Sequence, residues 1–125
     1  QIKACVKPGK RGKEYNHTIN ECLITIVFLS KLNSDTYTRR CFEIPATQTL
    51  MLSEYTDDLN EMYPSDECAV YFRNEDEIVK KCKWLLENPS EIKRIAEKGY
   101  RRLKELGGSE IDRCRQIVET YKELK

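Results

Sequence analysis

Between Cys22 and Leu29 the chain reads CLITIVFL, apolar or β-branched at every position with no polar alternation. A strand covered on both faces in a parallel sheet has this pattern, so the run predicts a central strand. Two shorter apolar runs, Thr49 to Leu52 and Cys68 to Phe72, predict two more strands. A weak alternation over Ile2 to Val6 predicts a short strand, ended by Pro8, Gly9 and Gly12. Helical spacing of Tyr15, Ile19 and Cys22 predicts one or two turns over Tyr15 to Glu21. After the first long strand, Ser34 or Asp35 can cap a helix that buries Tyr37, Cys41 and Phe42 and stops near Ile44, before Pro45. The acidic stretch through Asp57, Asp58 and Glu61 predicts a helix or loop between the second and third of these strands.

From Asn74 onward the spacing is helical throughout. Ile78, Val79, Cys82, Leu85 and Leu86 mark one face of a helix that ends before Asn88 and Pro89, and Trp84 is expected to pack with them. Ser90 can cap a second helix carrying Ile92, Ile95, Ala96, Leu103 and Leu106, which Gly107 and Gly108 break. Ser109 starts a third, with Ile111, Cys114, Ile117, Val118, Tyr121 and Leu124 as its stripe, and all three stripes are predicted core. The fold class predicted is α/β: a partial Rossmann-like open parallel sheet flanked by helices, with a helical C-terminal tail. One domain is expected over residues 1–125, its sheet portion about 1–73 and its helical portion about 74–125.

Charge and cysteine content narrow the partners. Lys plus Arg number 22 against 21 Asp plus Glu, a net charge of +1 that supplies no field to draw the chain to nucleic acid. The basic loop KPGKRGK lacks P-loop spacing and reads as a solvated turn. The longest apolar run is far short of the roughly 20 residues that span a bilayer, so no transmembrane segment is expected. The six cysteines are widely separated without a C-x-x-C pair, which favours reduced thiols and a cytoplasmic location over a secreted, cysteine-linked domain. His17 is the single histidine, and no ligand pair has zinc-finger spacing. The chain begins without Met, which suggests a piece of something longer.

The candidate chemistry lies in NSDTYTRRCFEIPA, just after the long strand. In open α/β sheets ligands bind at the carboxyl ends of the strands, where helix amino termini offer unpaired amides to anions. The free amides are expected near Thr36, Tyr37 and Thr38, with Arg39 and Arg40 within a turn to add charge-assisted bonds to a diphosphate. Glu43 follows two helical turns beyond Asp35, about 12 Å along the axis. That separation suits a ligand with two distant hydroxyl-bearing ends, and it exceeds the spacing of two acids acting on one bond. The plainer alternative is a helix cap followed by a solvated Glu.

The run FLSKLNSDTYTRRCFEIPATQTLMLSEYTDDL resembles the C-terminal domain of the CgeB-like, or spore-maturation-protein-like, glycosyltransferases, a branch of the group 1 enzymes with two Rossmann-like domains (GT-B). CAVYFRNEDEIVKKCKWLLENPSEIKRIAEKGYRRL is similar to the strand, helix, "NP" break and helix of that branch, so the likeness extends from about Tyr15 onward. The resemblance implies that Asp35 is the first acid of an E-x7-E motif, the catalytic position that contacts the donor sugar, and Glu43 the second, which holds the ribose. It implies that Thr36, Tyr37 and Thr38 bring backbone amides to the sugar and diphosphate. Arg39 and Arg40 belong to the branch's own motif, and their diphosphate role follows from charge and place.

The implied partners are a nucleoside diphosphate sugar and an N-terminal acceptor-binding domain of the parent chain, with no cofactor or metal and no turnover from this part alone. Positive side chains and helix amino termini suffice to stabilise a leaving diphosphate. Two departures stand out: Asp35 replaces the Glu of the wider motif, and Gln48 stands where relatives carry the Gly that suits a left-handed helix terminus. A non-catalytic α/β interaction module with a decayed donor site is therefore the competing class.

Overall fold

In a computed structural model describing residues 5–125, three parallel strands form one sheet in the order β1-β2-β3. The elements follow as α1 (Gly12–Asn20), β1 (Ile24–Val27), α2 (Arg40–Ala46), β2 (Leu50–Glu54), α3 (Asp57–Met62), β3 (Val70–Phe72), α4 (Glu75–Glu87), α5 (Pro89–Glu105) and α6 (Glu110–Glu123). This is an α/β fold with a small parallel sheet flanked by helices and a helical C-terminal extension. The strand expected over Ile2 to Val6 lies mostly outside the described residues. Among the described residues no helix is long and apolar enough to cross a membrane.

The period of two along the strands builds two cores. Val27, Met51 and Tyr71 face one side, where Ile19 of α1, Cys41 and Ile44 of α2, and Leu59 and Tyr63 cover them. Leu50, Leu52, Val70 and Phe72 face the other, under Leu85 of α4 and Ile92, Ile95 and Ala96 of α5. Tyr71 pins the first side with its hydroxyl, which donates to the carbonyls of Leu59 (2.8 Å) and Tyr63 (2.7 Å).

Helix α5 belongs to both sides. Its first half packs on the second face, while Leu103 joins the first. The crossing occurs at the amino edge of the sheet, where Gly99 lies against Cys68 and Pro45. A Cβ at Gly99 would sit 2.6 Å from the Cys68 carbonyl oxygen. Arg94 and Arg102 secure the crossing by donating to the carbonyls of Asp66 and Met62.

Three features differ from the pattern-based expectation. β1 pairs only with β2 among the described residues, so the strand predicted central is at an edge. Ile26 (41 %) and Phe28 (63 %) stay exposed there, because α4 and α5 lie over β3 and β2 rather than over β1. On α4, Leu85 alone is fully buried, and Trp84, Val79 and Leu86 face solvent. On α6, Ile111, Ile117, Val118 and Tyr121 are all exposed, as is Leu124 at its carboxyl cap, since the Gly107–Gly108 turn carries the helix away from both cores.

Candidate functional site

The segment joining β1 to α2 is where sequence and structure diverge most. The helix begins at Arg40, four residues later than the Asp35 cap predicts. Local hydrogen bonding explains the delay. The Asp35 amide donates to the Ser30 carbonyl (3.1 Å) and the Ser34 amide to that of Lys31 (3.4 Å), with Ser34 left-handed at φ 52°. Ser30 to Asp35 thus close into a tight turn, and neither the Ser34 nor the Asp35 carbonyl accepts a helical bond. Thr36, Tyr37 and Thr38 form a spacer, and the first helical bond is from Cys41 N–H to the Thr38 carbonyl (3.0 Å). The eight-residue spacing between Asp35 and Glu43 is therefore part turn and part helix, and the 12 Å axial estimate does not apply.

Neighbouring elements hold this segment. Glu54, the last residue of β2, accepts the Leu29 amide at 2.6 Å and pairs with Lys31 at 3.7 Å, fixing the exit of β1. Thr56 caps α3 by accepting the Leu59 amide (3.1 Å), and its hydroxyl donates to the Thr36 carbonyl (2.7 Å). Tyr37 stacks edge-on against Phe42 with ring centroids 6.0 Å apart.

Asp35 lines two adjoining cavities at the carboxyl edge of the sheet. One, of about 310 Å³, is bounded by Phe28, Ser30, Asp35, Thr38, Arg39 and Arg40. The other, of about 350 Å³, lies over the ends of β1, β2 and β3, and includes Lys31, Glu54, Tyr55 and Arg73. Both open where a parallel sheet receives ligands. Lys31, Glu54, Tyr55, Thr56 and Arg73 were not singled out from sequence. Their only signal there is position, since each follows or ends an apolar strand run.

Glu43 lines a third, larger cavity of about 690 Å³ between α2, the end of α5 and the start of α6, with Phe42, Leu103 and Arg113 among its walls. Its carboxylate pairs with Arg39 Nε at 2.8 Å and accepts the Tyr15 hydroxyl at 3.2 Å. Burial first, and then the Glu43 charge and hydrogen bond, raise the Tyr15 phenol above its ordinary value. Arg39 also reaches Glu110 of α6 at 3.3 Å. Asp35 and Glu43 thus line different cavities, and Arg39 lines both the 310 Å³ cavity of Asp35 and the cavity of Glu43.

Gln48 sits at the opposite edge. In a parallel β-α-β unit the carboxyl end of the helix returns to the amino ends of the strands, so the close of α2 is remote from Asp35. That close is a Schellman turn: the Gln48 amide donates to the Pro45 carbonyl (3.0 Å) and the Thr49 amide to that of Ile44 (3.4 Å). Gln48 occupies its left-handed position at φ 57°. The geometry expected for Gly is retained with Gln in place, and the helix runs one residue beyond Pro45 to Ala46.

A family described as glycosyl transferase-like matches residues 5–118. No curated protein and no solved structure matches the chain significantly.

Proposed function

The chain belongs to the glycosyl transferase-like family, and on that premise we propose that it is the nucleotide-sugar donor-binding part of a glycosyltransferase. The full protein moves a sugar from a nucleoside diphosphate sugar to an acceptor held by an N-terminal domain of the parent chain, in a cytoplasmic, CgeB-like, GT-B enzyme. The D-T-Y-T-R-R-x-F-E-I-P-A run supports that branch, and membership of the glycosyl transferase-like family supports the reaction class.

One observation carries the donor pose: Arg39 stands between the cavity of Asp35 and the cavity of Glu43. The diphosphate lies over Arg39 and Arg40, whose guanidinium groups match phosphate oxygens and take up the charge that develops on the leaving group. The sugar extends toward Asp35, an acceptor for its hydroxyls and a negative charge close to the reacting carbon. The nucleoside extends the other way, its ribose on Glu43 and its base against Phe42 and Leu103. Thr38 borders the diphosphate, and Thr36 and Tyr37 lead up to it, with Thr56 holding the Thr36 carbonyl in place. To receive the ribose, Glu43 must share or release Arg39, and the phosphates offer that arginine an equivalent partner.

Isothermal titration of the chain with uridine and guanosine diphosphate sugars tests this reading. Binding is expected, with Arg40→Ala and Asp35→Ala each weakening it by about tenfold or more, the loss of a charge-assisted contact. Glu43→Ala should weaken binding of the nucleotide and leave free sugar unaffected. Absence of binding in a longer, folded chain refutes the reading in favour of a non-catalytic α/β interaction module.

A further inference from the structure

The cavity over the three strand ends has chemistry that a donor lying on Arg39 and Arg40 leaves unused. Asp35 and Arg73 both line one space of about 350 Å³, which Ser30, Ser34 and Thr56 also border. Among the described residues Arg73 has no carboxylate partner. Its guanidinium lies 3.9 Å over the ring of Tyr55, which is itself held edge-on against Tyr71 and by a hydrogen bond from its hydroxyl to Asp57 (3.1 Å). The Arg73 amide is also fixed, donating to Glu77 at 2.8 Å beside the Asn74 cap of α4. A guanidinium held over an aromatic face has its planar fork restrained and keeps N–H donors free for an oxyanion. Lys31, the second cation here, is already paired with Glu54.

We infer that this cavity is a subsite for a hexose that carries an oxyanion, with sugar hydroxyls accepted by Asp35 and the charged group held by Arg73. The shared chemistry is a phosphate ester or carboxylate on the sugar ring. A neutral sugar would leave the guanidinium without its partner, and a purely anionic ligand would leave Asp35 facing like charge. Glu54 acts here as a positioning residue, because its bond to the Leu29 amide sets the turn that carries Asp35. The assignment of this cavity to the sugar side, with the diphosphate on the other flank of Asp35, rests on the donor reading above.

The experiment is a chemical-shift titration of the intact chain with glucose 6-phosphate, glucuronate, glucose and uridine diphosphate as separate probes. One or both charged hexoses should bind at least about tenfold more tightly than glucose, and Arg73→Gln should abolish that difference without changing glucose or uridine diphosphate binding. The two charged probes distinguish phosphate from carboxylate. Lys31→Gln should change the charged-hexose affinity by less than about threefold, because the Lys31 side chain is almost fully exposed and its charge is screened by solvent. Equal affinity for glucose and its charged forms, or an unchanged charged-hexose affinity in Arg73→Gln, overturns the subsite. So does uridine diphosphate binding that becomes dependent on Arg73, since the diphosphate would then occupy this cavity. Arg73-dependent binding of a charged hexose with no uridine diphosphate binding keeps the subsite and refutes the donor reading instead.

Discussion

Replacing Gln48 by Gly should stabilise the protein without touching donor binding. Gln48 holds the left-handed position of the turn that ends α2, at φ 57°. A side chain there brings Cβ against the carbonyl oxygen, a cost of about 1–2 kcal/mol that Gly does not incur. Gly gives part of this back, because its unfolded chain is freer by about 0.5–1 kcal/mol. Taken at the midpoints of both ranges, the net gain is about 0.75 kcal/mol. Unfolding entropy of about 2.1 cal/mol/K per residue converts that, for a chain of this length, to a rise in Tm of about 2–4 °C. Thermal and urea unfolding followed by circular dichroism would measure it, with Gln48→Ala as the control that keeps a Cβ and should change stability by less than about 0.5 kcal/mol. Because Gln48 is on the amino side of the sheet, nucleotide affinity should be the same in all three proteins. A Gly variant no more stable than wild type would refute the left-handed cost, and a Gly variant with altered affinity would refute the separation of turn from cleft.

Tyr71→Phe removes a buried hydroxyl that serves two carbonyls, and should lower the urea-derived stability by about 1–3 kcal/mol. Gly99→Ala places a Cβ where the Cys68 carbonyl oxygen already lies, and should cost a similar amount through displacement of α5 from the sheet edge, read by the same assay. A thiol reagent should modify exposed Cys5, Cys22 and Cys114 in the native protein, and buried Cys41 only after unfolding. Burial raises the Cys41 and Cys68 thiols above the ordinary value of 9.0, so the folded state keeps protons that the unfolded chain releases. Stability should therefore be intact below about pH 9 and fall as pH rises above it, by at most about 1.4 kcal/mol per pH unit for each such group. Cys41→Ala should make that decline shallower.

The strands and long helices were legible because their signals are local. The apolar runs ending at Leu29 and Phe72 each contain a strand, the run ending at Leu52 holds the first three residues of β2, and the Asn88–Pro89 and Gly107–Gly108 breaks fall where α4 and α5 end. Burial was less legible, because a stripe records what a helix could bury and not what lies opposite it. Ile92, Ile95 and Leu103 find the sheet, whereas Ile111 and Val118 have the same spacing and find nothing among the described elements. The start of α2 was misplaced for a different reason. Ser34 and Asp35 are good capping residues, and the competing turn closed by the Ser30 carbonyl cannot be seen in residue type. Asp35 still reaches the carboxyl edge, by way of that turn instead of a helix cap. Arg73 went unnoticed because nothing near it in sequence is unusual; only the convergence of three strand ends brings it beside Asp35.

The passage of α5 from one side of the sheet to the other has a consequence for how the molecule comes apart. A single rod of 17 residues cannot leave Ile92 and Ile95 in place while Leu103 is released, so opening on one flank strips cover from the other. Amide exchange in α2, β2 and α5 should then report one shared opening event, with α6 exchanging on its own, faster clock.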